Sequence, residues 1–85
     1  MNKNEQNIIN KHKKNIYKIA SKHLNCKKYK EGEYFECIAI PKQQKFFDFV
    51  IIEIIKYINI NNLLFLSRQI KDKDGIYVIY GIKLN

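Results

Sequence analysis

Residues 61–85, "NNLLFLSRQIKDKDGIYVIYGIKLN", decide the fold, because they read as two strands around one turn. Asp72-Lys73-Asp74-Gly75 fits a type I turn with Asp first and a left-handed Gly last, which predicts a bulged hairpin with Asp72 opposite Ile76. In that register Ile70 faces Val78, Leu66 faces Ile82 and Leu64 faces Leu84, all on one side, with Arg68 opposite Tyr80. A plain four-residue loop shifts the pairing by one and scatters these residues over both faces, so the bulged register is expected.

Working outward, "KQQKFFDFVIIEIIKYI" (42–58) follows Pro41, a residue suited to the first turn of a helix. Its Ile and Phe also suit a strand, but its length argues for a helix. Phe46, Phe47, Val50, Ile51, Ile54, Ile55, Tyr57 and Ile58 cover about half the circumference, with Phe49 and Ile52 on the remaining side. Such a helix packs on a sheet and keeps apolar surface for a second contact. Before it, "CKKYKEGEYFEC" (26–37) can turn at Glu31-Gly32, setting Lys30 against Glu33, Tyr29 against Tyr34, Lys27 against Glu36 and Cys26 against Cys37. The alternative, in which the first helix runs on to Lys30 with Gly32 as its C-cap, stays open.

Residues 4–24 read as that first helix. Asn2 and Glu5 have capping-box spacing, and no Gly or Pro occurs before Gly32. Ile9, Ile16, Ile19, Ala20 and Leu24 fall on one face with His12 and His23 among them. The expected fold is therefore α+β in the order α-β-β-α-β-β: a basic N-terminal helix, a hairpin, an apolar helix and a C-terminal hairpin, with the helices packed on one antiparallel sheet. Eighty-five residues make a single small domain, 1–85, with room for one modest core.

Composition sets further bounds. The hydrophobic share of 46% supports folding and disfavours a disordered chain. "FFDFVIIEIIKYI" is interrupted by Asp48 and Glu53 and no signal-peptide pattern flanks it, so a soluble cytoplasmic protein with no membrane contact is expected. Two cysteines cannot build a structural zinc site, and without a secretion signal reduced thiols are expected over a Cys26–Cys37 bridge. His12 and His23 read as helix residues at the core edge, since neither has a nucleophile or carboxylate spaced to orient it. Gly32, Gly75 and Gly81 are too scattered for a phosphate loop. No enzyme chemistry and no cofactor is expected.

Charge is the remaining signal. Sixteen Ile, fifteen Lys and ten Asn against a single Arg are what an AT-rich genome favours, so the net charge of +8 alone says little. Its placement says more: residues 1–30 hold nine Lys and one Glu, while the α+β body 31–85 holds seven basic and seven acidic groups and is neutral. Lys11, Lys14, Lys18 and Lys22, spaced three, four and four apart, form a stripe almost opposite the apolar face, with no acidic partners one turn away. Each like-charge neighbour costs a few tenths of a kcal/mol, a cost that a phosphate backbone removes. Lys27, Lys28 and Lys30 extend the patch, and Tyr17, Tyr29 and Tyr34 are candidates to stack on unpaired bases.

The order of elements, together with "NNL", Leu66, Arg68, Tyr77, Ile79 and the terminal Asn85, resembles the closing segment of the eukaryotic large-subunit ribosomal protein twenty-two family. Pro41 followed by Lys45, Phe46, Phe47, Phe49, Val50, Ile54, Ile55 and Lys56 is similar to the family's basic helix in its apolar positions. The likeness spans residues 41–85. Leu66 stands where the family has tryptophan, Ile58-Asn59-Ile60 is an insertion, and Ile52, Glu53 and Ile55 replace a lysine run. The resemblance implies rRNA and neighbouring ribosomal proteins as partners, carries over Lys45, Lys56 and Arg68 by position, and shifts RNA contact largely to the N-terminal lysines. The expected activity is thus non-enzymatic, sequence-tolerant RNA binding through Lys11, Lys14, Lys18, Lys22, Lys27, Lys28, Lys30, Lys45 and Arg68, in a structural component of the ribosomal large subunit. The alternative from a different class is a small protein-interaction module, such as a mobile-element-encoded inhibitor, that docks by residues 46–58 or by a free sheet edge, on a partner or a second copy.

Overall fold

A computed structural model describes residues 2–85. It contains α1 (Lys3–Ser21), β1 (Lys27–Lys28), β2 (Glu36–Pro41), α2 (Phe47–Ile60), β3 (Leu63–Asp72) and β4 (Gly75–Leu84). The strands form one antiparallel sheet in the order β1-β2-β4-β3, and both helices cover one of its faces, so the chain has the expected α-β-β-α-β-β architecture.

The side chain of Asn2 starts α1 by accepting the Glu5 N–H at 2.9 Å, which satisfies one of the helix's orphan donors. α1 stops at Ser21. The Leu24 N–H still reaches the Ala20 carbonyl at 3.0 Å, and the Leu24 side chain closes the core below the helix end. Residues 22–26 turn and β1 then pairs with β2, which rules out a helix continuing to Lys30. The core joins Ile9, Ile16 and Ala20 of α1 and Val50, Ile54 and Ile58 of α2 to Ile38, Ile40, Leu63, Val78, Tyr80 and Ile82 of the sheet. Phe65 stacks on Tyr80 across the β3–β4 pair, ring centroids 4.9 Å apart.

Three local expectations fail for identifiable reasons. The C-terminal hairpin is not bulged: Asp72 pairs with Gly75, and Leu63, Phe65, Arg68 and Ile70 oppose Leu84, Ile82, Ile79 and Tyr77. The Asp72 carboxylate does accept the Asp74 N–H at 2.8 Å, and Gly75 does take a positive φ of 125°, as the turn chemistry requires. β4 has no single apolar face. β4 lies between β2 and β3, so its Val78, Tyr80 and Ile82 face the helices while Ile79 is equally buried on the other side, opposite Ala39. With both faces of β4 apolar, burial does not select the bulged register.

The first hairpin is also re-registered. Lys27 pairs with Ala39 and Lys28 with Ile38, leaving residues 29–35 as a longer loop, and Cys26 and Cys37 are not opposed but are both free thiols. The charge pairs that favoured the other register contribute only about 0.2–1 kcal/mol each. Seating Ile38 and Ile40 in the core is worth more. Pro41, finally, ends β2 opposite Tyr77 instead of opening α2, a strand-end position where its missing N–H costs little. Gln44 then ties this connection down. Its Nε2 donates to the Pro41 and Asn25 carbonyls at 2.8 and 2.9 Å, and its Oε1 accepts the Asn25 N–H at 2.7 Å.

Candidate polyanion-binding cleft

The long 29–35 loop folds back beside α1 and encloses a cleft of about 740 Å³. One wall is α1, through Asn7, Asn10, Lys11, Lys13, Lys14 and Tyr17; the other is the segment from Lys28 to Cys37, including Tyr29, Lys30, Glu33 and Tyr34. Five lysines therefore meet around one opening. Two ion pairs form among the described residues, Lys56–Glu53 and Arg68–Glu36, and neither involves a cleft lysine.

Of the nine cationic residues the sequence singled out, the fold brings Lys11, Lys14, Lys28 and Lys30 together here. Lys18 and Lys22 continue the exposed stripe beyond the cleft, with Lys22 at the C-cap of α1. Lys27 alternates to the opposite face from Lys28, and Lys45 sits in the β2–α2 connection, its Nζ 5.5 Å from the Phe46 ring centroid. Lys13 was missed. It lies one turn from Ile9 at the border of the apolar face, half-buried, with its ammonium donating to the Tyr34 carbonyl at 2.8 Å. No local pattern reveals that role, since it depends on where the loop returns.

Arg68 is engaged within the fold. Its Nε and Nη2 donate to the two Glu36 carboxylate oxygens at 2.6 and 3.0 Å, and Nη2 also reaches the Tyr29 hydroxyl at 3.3 Å. Glu36, whose side chain is only 3% exposed, further accepts the Glu33 N–H at 2.9 Å. This buried carboxylate fixes the base of the loop. Gly32 crosses directly over it, where a Cβ would stand 2.1 Å from Glu36 Oε1 and 2.6 Å from the Tyr29 ring. Near Gly81 the loop is just as tightly seated: the Phe35 carbonyl accepts the Ile82 N–H at 3.0 Å and would lie 2.5 Å from a Cβ at Gly81.

The bond from Arg68 holds the Glu36 carboxyl below the ordinary glutamate range, outweighing the opposing effect of burial. A lowered folded value stabilises the protein above the unfolded value of about 4.3, and that contribution is lost as pH falls through the folded value. The expected result is a urea midpoint that drops between about pH 7 and about pH 3, with a smaller drop in Glu36→Gln. An equal drop in the variant would assign the acid sensitivity to other groups. Cys37, beside Lys13, has its thiol pushed up to about 11 by burial, so it stays protonated and adds no negative charge to a cleft whose carboxylates are Glu33 and the Arg68-paired Glu36.

The histidines do not converge. His12 Nδ1 lies 2.6 Å from the Tyr57 hydroxyl, and that hydroxyl accepts from Asn15 Nδ2 at 3.0 Å, a polar link between α1 and α2. His23 is exposed, beside Phe46 and Phe49. Among the described residues no group of three or more His, Cys, Asp or Glu is placed to hold a metal ion, and no helix is long and apolar enough to cross a membrane.

Comparison with protein-family models, with curated proteins and with solved structures finds no match to this chain.

Proposed function

We propose that the chain is a non-enzymatic RNA-binding protein that takes RNA phosphates in the cleft between α1 and the 29–35 loop. One observation carries this reading: five lysines without ion-pair partners surround an opening that also presents Tyr17, Tyr29 and Tyr34. Unpaired ammonium groups at such density repel one another, and a polyanion relieves that repulsion while releasing its own condensed counterions. Recognition is sequence-tolerant. Bidentate reading of base edges is chiefly the work of arginine, and the single arginine is spent on Glu36. The resemblance of residues 41–85 supplies the particular assembly to test, the ribosomal large subunit.

Purified protein is expected to carry material absorbing at 260 nm that is stripped by high salt, and to sediment with large ribosomal subunits in a lysate gradient at low salt. A protein free of nucleic acid, whose RNA binding does not change between low and moderate salt, would overturn the proposal. A second reading rests on α2, where Phe49 is 70% exposed with Phe46 and Ile52 exposed beside it, and where Ile55 and Ile60 are exposed further along the helix. That reading, a protein-interaction module, is favoured if the pure protein is a nucleic-acid-free homodimer.

A further inference from the structure

Resting on the RNA reading above, we infer that the cleft selects unpaired RNA over duplex, with Tyr34 as the platform on which a base stacks. The three cleft tyrosines are not equivalent. Tyr17 and Tyr29 are half-buried, and Tyr29 is further held by Arg68, which bonds its hydroxyl. Tyr34 is 64% exposed.

Its exposure is combined with a fixed position. Lys13 bonds the Tyr34 carbonyl, and the ring meets Phe35 edge-on at 5.5 Å and 87°. Phe35 is itself anchored through its carbonyl to Ile82, and Lys83 Nζ lies 5.8 Å from the Tyr34 ring centroid. A large aromatic held in the open at a cleft of five lysines that lack ion-pair partners suits a ligand that offers a flat face and a phosphate together. An unpaired nucleotide has both. In an A-form duplex the bases are stacked inside, so a duplex can use the lysines but not the ring.

The two contributions separate experimentally, because a stacking contact releases no counterions. The probes are a fluorescein-labelled oligo(A) strand of about a dozen nucleotides and its duplex with oligo(U), titrated over a range of salt. Wild type should bind the single strand more tightly. Tyr34→Ala should weaken single-strand binding by roughly tenfold, with the salt slope and the duplex affinity unchanged, and Tyr34→Phe should bind as wild type. Unchanged duplex binding also shows that the alanine variant is folded. Equal weakening on both probes, or no weakening on the single strand, would overturn the inference. If wild type binds both probes equally with a steep salt dependence, RNA binding stands and the inference alone is wrong. If it binds neither, both fall.

Discussion

If the cleft holds RNA phosphates, replacing Lys11, Lys14, Lys28 and Lys30 by Gln should lower affinity for single-stranded RNA by between two and three orders of magnitude at about 0.1 M salt. The size follows from counterion release: each phosphate contact adds about 0.7 to the slope of log affinity against log salt, so four contacts carry nearly three decades between about 1 M and about 0.1 M. The slope shrinks by the same amount. Lys13 is left in place because it holds the loop through the Tyr34 carbonyl. At Lys11 and Lys14, which lie in α1, glutamine keeps helix propensity, and at all four positions it relieves repulsion, so the melting temperature should hold or rise slightly. The matched control is Lys42, Lys56, Lys71 and Lys73, which remove the same charge and do not line the cleft. Lys83 is unsuitable as a control, since it lies beside Tyr34 and Phe35. If both sets lose affinity equally, binding is through diffuse charge and the cleft is a solvated surface.

The largest effect on stability should come from Ile54→Ala, measured against Ile55→Ala next to it. Ile54 is fully buried at the centre of the core, whereas Ile55 is 41% exposed on the outer face of α2. Truncating Ile54 removes apolar contacts and leaves a cavity that the surrounding side chains only partly fill, costing about 2–5 kcal/mol. For a domain of this size that lowers the melting temperature by roughly 10–30 °C. Ile55→Ala removes half-solvated surface and gains helix propensity, so its cost should stay below about 1 kcal/mol. Similar losses at the two positions, in urea or thermal melts, would mean that α2 docks with a different face on the sheet.

That pair also shows how far the pattern of residues could be read directly. Ile54 and Ile55 fall in the same apolar half of the helical wheel, and nothing in the periodicity says which one meets the sheet. Ile9, Ile16 and Ala20, by contrast, are separated from the lysines by half a turn, and they are buried while Lys11, Lys14, Lys18 and Lys22 stay in water. Where one face is clearly apolar, the chain announces its core. Where both faces are apolar, as on α2 and β4, the neighbours decide.

Element types, their order, the cap at Asn2 and the turn at Asp72–Gly75 were therefore determined locally, by spacing, capping chemistry and glycine's tolerance of positive φ. Both strand registers, the end of β2 at Pro41 and the membership of the cleft were decided only in three dimensions. The physical reason is one of scale: a cross-strand pair contributes a few tenths of a kcal/mol to about 1 kcal/mol, whereas seating two isoleucines in a core contributes several times that. The larger energy sets the register, and the register sends Lys28 into the cleft while turning Lys27 to the other face of the sheet.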